Sequence, residues 1–189
     1  MNSRWRIPAI AACIAGCPHA HAQVVDSITG QVNAQLVLTS GCSIDSGGGS
    51  ATTGTNFGTL NFGTQPAGFT GKLNAQLAGA GSGGATQVTC SSDVQAITVT
   101  IDGGQHASRG SANGVGSRAM SNGTDYVPYE LYADAGASTG YVAGTATNVP
   151  IPTPGQPFDL PIYGLVDKTS AVALSTGTYT DTLNVTLGW

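Results

Sequence analysis

The stretch ITGQVNAQLVLTSGC, residues 28–42, alternates two chemistries along its length. Ile28, Gly30, Val32, Ala34, Leu36 and Leu38 share one parity. Thr29, Gln31, Asn33, Gln35 and Thr39 share the other, with Val37 the apolar exception. Period two is the pattern of a β-strand with one dry face and one wet face. Such a dry face needs something to pack against. The final run, GTYTDTLNVTLGW at 177–189, has the same form. Tyr179, Leu183, Val185, Leu187 and Trp189 oppose Thr178, Thr180, Thr182, Asn184 and Thr186. A strong strand pattern therefore lies near each end, and the first is tied to the remainder by the short link TSGC, residues 39–42.

Between these two runs, short alternating segments follow one another, separated by Gly-rich turns. They are FGTLNFG (57–63), ATQVTC (85–90), QAITVTID (95–102), YVPYELYAD (126–134), TGYVAG (139–144) and FDLPIYGLVD (158–167). Pro161 in the last of these argues for an edge or a strand start. No amphipathic helix longer than two turns is evident. Seven or more short strands at this spacing predict an all-β sandwich. SGGGSATTG (46–54) and GAGSGG (79–84) lack the lysine and following helix of a phosphate loop, so they read as turns or loop tips. PTPGQP (152–157) reads as a stiff connector.

The first residues read as an export leader. Arg4 and Arg6 precede the short apolar run IPAIAACIAG, and AHA at 20–22 is a small-x-small cleavage site. Residues 1–22 are therefore expected to be a signal peptide cleaved after Ala22. IAGC at 14–17 also has the form of a lipobox, which would leave Cys17 as a lipidated N-terminus. The adopted reading makes Cys13 and Cys17 small apolar members of the discarded leader. No later stretch is long and apolar enough for a transmembrane segment. Beyond residue 22 the basic residues are Lys72, Arg109, Arg118 and Lys168, against ten Asp and Glu. That balance disfavours nucleic acid as a partner. Only Cys42 and Cys90 remain in the exported part, and two distant cysteines in such a chain read as one structural disulfide.

No catalytic constellation emerges, and the chain does not read as an enzyme. His106 stands alone in DGGQHASRG, where pairing with Asp102 and Ser108 is conceivable but a solvated loop histidine is the plainer reading. Glu130 is expected to be exposed or paired with Arg109 or Arg118. Asp181 is expected at a strand edge or facing a neighbouring subunit. Asp45, Asp93 and Asp125 lack the ligand density of a calcium site, and no Cys/His spacing indicates zinc. No metal or cofactor is expected. The N-x-T sequons at Asn122 and Asn184 carry little weight.

TGQVNAQLVLTSGC, FGTLNFG, QVTC, ITVTIDGG, PYELYAD, LPIYGLV and GTYTDTLNVTLGW occur in this order. Together they resemble the spore coat U domain family, and more closely the major pilins of Csu-type archaic chaperone–usher pili. The resemblance covers essentially the whole of residues 23–189 and includes both cysteines. It implies an incomplete immunoglobulin-like β-sandwich that lacks its last strand and is completed by a donor strand from another subunit. On that reading, residues 23–38 are the N-terminal donor strand and residues 39–189 the pilin body. Ile28, Gly30, Val32, Ala34, Leu36 and Leu38 would enter a neighbour's groove. Tyr179, Leu183, Val185, Leu187 and Trp189 would line the acceptor groove and dock to a periplasmic chaperone, with the Trp189 carboxylate held by basic chaperone residues. The implied partners are that chaperone, an outer-membrane usher, and other copies of the chain or related pilins. The implied function is a structural pilus subunit, exported through the periplasm to the cell surface for adhesion and biofilm formation. The alternatives are a spore or cell-surface coat protein, and a self-complemented carbohydrate-binding sandwich.

Overall fold

A computed structural model describes residues 27–45, 50–51, 56–79 and 84–189. The expected leader, Cys17, residues 23–26 of the expected donor strand, and most of the 46–54 and 79–84 loops lie outside the described residues. The chain divides into two units, Met1–Val37 and Leu38–Trp189. In the first unit, residues 27–37 carry no strand, and every one of them is exposed. The sequence predicts a strand there. Alternation supplies the two faces, but a strand also needs a neighbour to satisfy its backbone groups.

The second unit is all-β among its described residues. Its thirteen strands are β1 (Cys42–Asp45), β2 (Ser50–Ala51), β3 (Thr59–Leu60), β4 (Gly71–Ala78), β5 (Gln87–Cys90), β6 (Ala96–Ile101), β7 (Gly114–Val115), β8 (Arg118–Ser121), β9 (Tyr126–Tyr132), β10 (Thr147–Pro150), β11 (Phe158–Asp159), β12 (Tyr163–Lys168) and β13 (Val185–Gly188). They form three antiparallel sheets ordered β11-β5-β1-β2, β10-β6-β13 and β3-β4-β12-β9-β8, with β7 also on β12.

Alternation explains the layers. On β6, Ile97, Val99 and Ile101 are buried while Thr98 is exposed. They meet Val127, Tyr129 and Leu131 of β9, Val166 of β12 and Leu77 of β4 in one cluster. Each fully buried aliphatic of this kind contributes about 1.5–3 kcal/mol. Cys42 and Cys90 stand opposite each other in the β1–β5 ladder and are joined by a disulfide.

Several segments differ from the sequence expectation. FGTLNFG contributes only Thr59–Leu60 to a strand. TGYVAG is not a strand: Gly140 makes a single bridge to Tyr132, and Tyr141 is buried, donating its hydroxyl to Pro161 O at 2.9 Å. Burial pushes that hydroxyl's pKa up to about 12. FDLPIYGLVD breaks into β11 and β12 around Pro161. Pro128 sits inside β9 because the β9–β12 ladder begins one residue later, at Tyr129. The longest strand, β4 (GKLNAQLA), escaped the reading because Ala, Asn and Gln dilute its Leu73–Ala75–Leu77 stripe.

Candidate functional site

β13 is an edge strand. It pairs with β6 through Val185–Ile101 and Leu187–Val99, and no described strand takes its other side. An open groove of about 870 Å³ runs along this edge. One wall is residues 179–187 with Trp189. The other is Cys42 and Ile44 of β1 together with residues 56–60 and Phe62. Leu77, Ile101, Met120, Tyr129 and Ile162 reach it from the core.

The walls are apolar and incompletely covered. Ile44, Phe57, Leu60, Phe62, Tyr179, Leu183, Val185 and Leu187 pack against the core but remain half-buried. Trp189 is 59% exposed. Gly58 shapes the far wall: its φ is +123°, and a Cβ there would stand 1.9 Å from Ala78 O. Phe57, Leu60, Phe62 and Met120 were not singled out as site residues from sequence. Leu60 and Phe62 share a parity, which is the signal that was available.

One polar station interrupts the apolar wall. The Asp181 carboxylate accepts hydrogen bonds from Tyr129 Oη (2.8 Å), Gln105 N (2.8 Å) and Thr182 N (2.9 Å). Gly104, with φ +71°, makes room for it: a Cβ there would stand 2.1 Å from Asp181 Oδ2. Burial and the bond to Asp181 raise the Tyr129 hydroxyl pKa, so this phenol stays protonated and donating.

Behind this station lies Arg118, fully buried. Its guanidinium donates to Asp102 O (2.8 Å), Tyr141 O (3.0 Å) and Ile101 O (3.3 Å), and faces Glu130 at 3.8 Å. Burial lowers its pKa, and nearby Tyr129 and Glu130 oppose that shift. Burial also works against ionisation of Asp102, yet bonds from the Asn184 side chain and from the Gly104 and Asn184 amides, with the Arg118 charge, hold its pKa below the usual 3.8. Asp102 and Asn184 thereby fasten the lead-in of β13 to the end of β6.

The expected groove residues Tyr179, Leu183, Val185, Leu187 and Trp189 all line this one groove. Ile28, Val32, Leu36 and Leu38 are 80–100% exposed, and Gly30 and Ala34 are exposed with them. His106 meets neither of its sequence-proposed partners in a catalytic arrangement. Its ring lies edge-on to Tyr126 at 5.6 Å, and Arg109 stands over the same ring at 5.7 Å. Among the described residues no group of His, Cys, Asp and Glu is arranged to hold a metal. No helix among them is long and apolar enough to cross a membrane. Asn122 and Asn184 donate to Ser175 and Asp102, so both sequon asparagines are engaged within the fold.

The chain is similar to known proteins in three respects. The Spore Coat Protein U domain family matches residues 28–186. "Protein U" of Myxococcus xanthus is 33% identical over 162 residues, covering 84% of this chain and 83% of that protein. Among solved structures, the chain is similar to one in a chaperone–tip adhesion subunit pre-assembly complex from the archaic chaperone–usher Csu pili of Acinetobacter baumannii, with a TM-score of 0.42 and 17% identity. That match covers 80% of this chain and 40% of the other. The chain belongs to the Spore Coat Protein U domain family, a structural and non-enzymatic one.

Proposed function

We propose that the protein is a structural subunit of chaperone–usher type, which polymerises by lending residues 23–38 to the groove of the next copy. The carrying observation is a pair of unmatched halves. An apolar groove lies open beside edge strand β13, and an exposed segment carries an alternating apolar row of strand length. An uncovered groove and a free sheet edge invite aggregation. A strand laid into it would satisfy the backbone of β13 and bury alternate side chains. Burying Ile28, Val32, Ala34, Leu36 and Leu38 would contribute of order 10 kcal/mol before ordering costs. Donor and acceptor are different surfaces, so the contact repeats head to tail and builds an open fibre rather than a closed ring.

On this reading residues 1–22 direct export, and a periplasmic chaperone covers the groove until an outer-membrane usher exchanges it for the next subunit. The fibre then serves adhesion and biofilm formation at the cell surface. The family description favours a second reading, a coat protein using the same sandwich without linear fibres. Deleting residues 23–38 separates the two. The fibre reading expects the truncated chain to remain folded and to bind the chaperone, but to form no multimers. Unchanged assembly after the deletion would reject it.

A further inference from the structure

The two apolar rows are each interrupted, and the interruptions fix how the rows fit. Resting on the strand-exchange reading above, we propose that Asp181 sets the register of the incoming strand by requiring Ala34 of the neighbouring copy opposite it. The row along the groove wall runs Tyr179, Asp181, Leu183, Val185, Leu187, with a carboxylate at its second place. Within residues 28–38 the donor row is broken only by Gly30 and Ala34.

A carboxylate with its hydrogen bonds in place tolerates a small neighbour that leaves water access. A branched aliphatic laid across it strips that solvation without returning a bond. Every ladder among the described residues is antiparallel, so the incoming strand is taken as antiparallel to β13. Directly opposed residues then share a face, and the even donor row meets the odd wall row. Only two such registers put a small residue over Asp181.

With Ala34 opposite Asp181, Leu36 meets Tyr179, Val32 meets Leu183, Gly30 meets Val185 and Ile28 meets Leu187. Asp26 then falls beside Trp189, which is 59% exposed and leaves that charge in water. With Gly30 opposite Asp181, Asp26 falls over half-buried Val185 instead. That register buries a charge with no partner, which is costly. The other registers lay Ile28, Val32, Leu36 or Leu38 over the carboxylate. The wall's polar station thus acts as a specificity element, and its support is built in: Tyr129, Gln105 and Gly104 hold the carboxylate in one place.

Cysteine pairs on the wet faces read the register without touching either row. Thr182→Cys is combined in the full-length chain with Thr29→Cys, Gln31→Cys, Asn33→Cys or Gln35→Cys, and multimers are isolated unboiled, then reduced or not. Neighbouring registers move the partner by two residues, about 7 Å, beyond disulfide reach. The Asn33 pair is expected to cross-link adjacent subunits about tenfold more than any other, equivalent to about 1.4 kcal/mol. Adding Asp181→Leu is expected to spread cross-links to the Gln35 pair, the neighbouring register that keeps Asp26 off the half-buried wall, while Asp181→Asn keeps the single register. Multimers that cross-link best through another pair, or through none, overturn the register and leave strand exchange standing. Retention of the Asn33 pair alone in Asp181→Leu overturns the role of Asp181. Absence of multimers from the parent chain removes strand exchange, and the register with it.

Discussion

Residues 28–38 and residues 179–189 have the same alternating grammar, yet the structure treats them differently. The first carries no strand and is exposed along its whole length. The second is bridged to Ser121 at Thr180, enters the β6 ladder at Val185, and half-buries Tyr179, Leu183, Val185 and Leu187. Alternation therefore marks a surface that needs covering. Whether it becomes a strand depends on an available sheet edge. Among the described strands the later segment has one edge partner and lacks the other, and the earlier segment has a matching pattern.

That contrast breaks most readily by placing a charge in each row. Leu36→Asp is expected to abolish multimers while leaving the monomer's thermal midpoint unchanged, since Leu36 is 80% exposed. Leu187→Asp is expected to abolish multimers and also to destabilise the monomer, by about 1–3 kcal/mol, because that side chain packs on the core. A calorimetric scan of each variant beside an unboiled gel checks both. Equal destabilisation by the two variants would erase the distinction.

The rigidity of the groove's walls supplies the next effects. Removing the disulfide with Cys42→Ser frees a closed loop spanning 48 positions between β1 and β5. A loss of about 4 kcal/mol is expected from chain entropy, read as a urea midpoint with and without reductant. Arg118→Met leaves three carbonyls without their buried donor and removes the cation that faces Glu130. A loss of about 3 kcal/mol is expected on the same urea scale. If Arg118→Met proves neutral, the buried cation is not what supports the core beneath the groove.

The smallest effect is a pH dependence. Hydrogen bonds from Ser175 hold the Asp125 pKa below the usual 3.8, and the Ser138 and Thr139 amides do the same for Asp134. Asp102 is lowered as well, its hydrogen bonds and the Arg118 charge outweighing burial. Each folded value lies below its unfolded one, so ionisation favours the fold. The contribution is complete above 3.8 and disappears as pH falls through the lowered values. The urea midpoint is expected to show no loss from these groups between pH 7 and about pH 5 and to fall below pH 3.8, with a shallower fall in Asp102→Asn.

Much of the fold and groove was legible from period-two patterns. β6 reads directly as Ile97–Val99–Ile101, and the odd row of the last run becomes a groove wall. The disulfide followed from cysteine arithmetic. Three features were illegible for physical reasons. β4 hides behind residues of weak β-preference. No local pattern marks Arg118 as buried, and only the convergence of three carbonyls from distant positions makes it a core residue. The Asp181–Tyr129 bond joins residues 52 positions apart, which no local pattern encodes.

The most direct test uses surface material sheared from the native cell, run on a denaturing gel boiled and unboiled and probed for this chain. The account predicts a ladder of multimers in the unboiled lane that collapses to monomer on boiling, as expected of strands exchanged between subunits and released only by unfolding. Monomer alone in both lanes, from cells that express and export the chain, would contradict it.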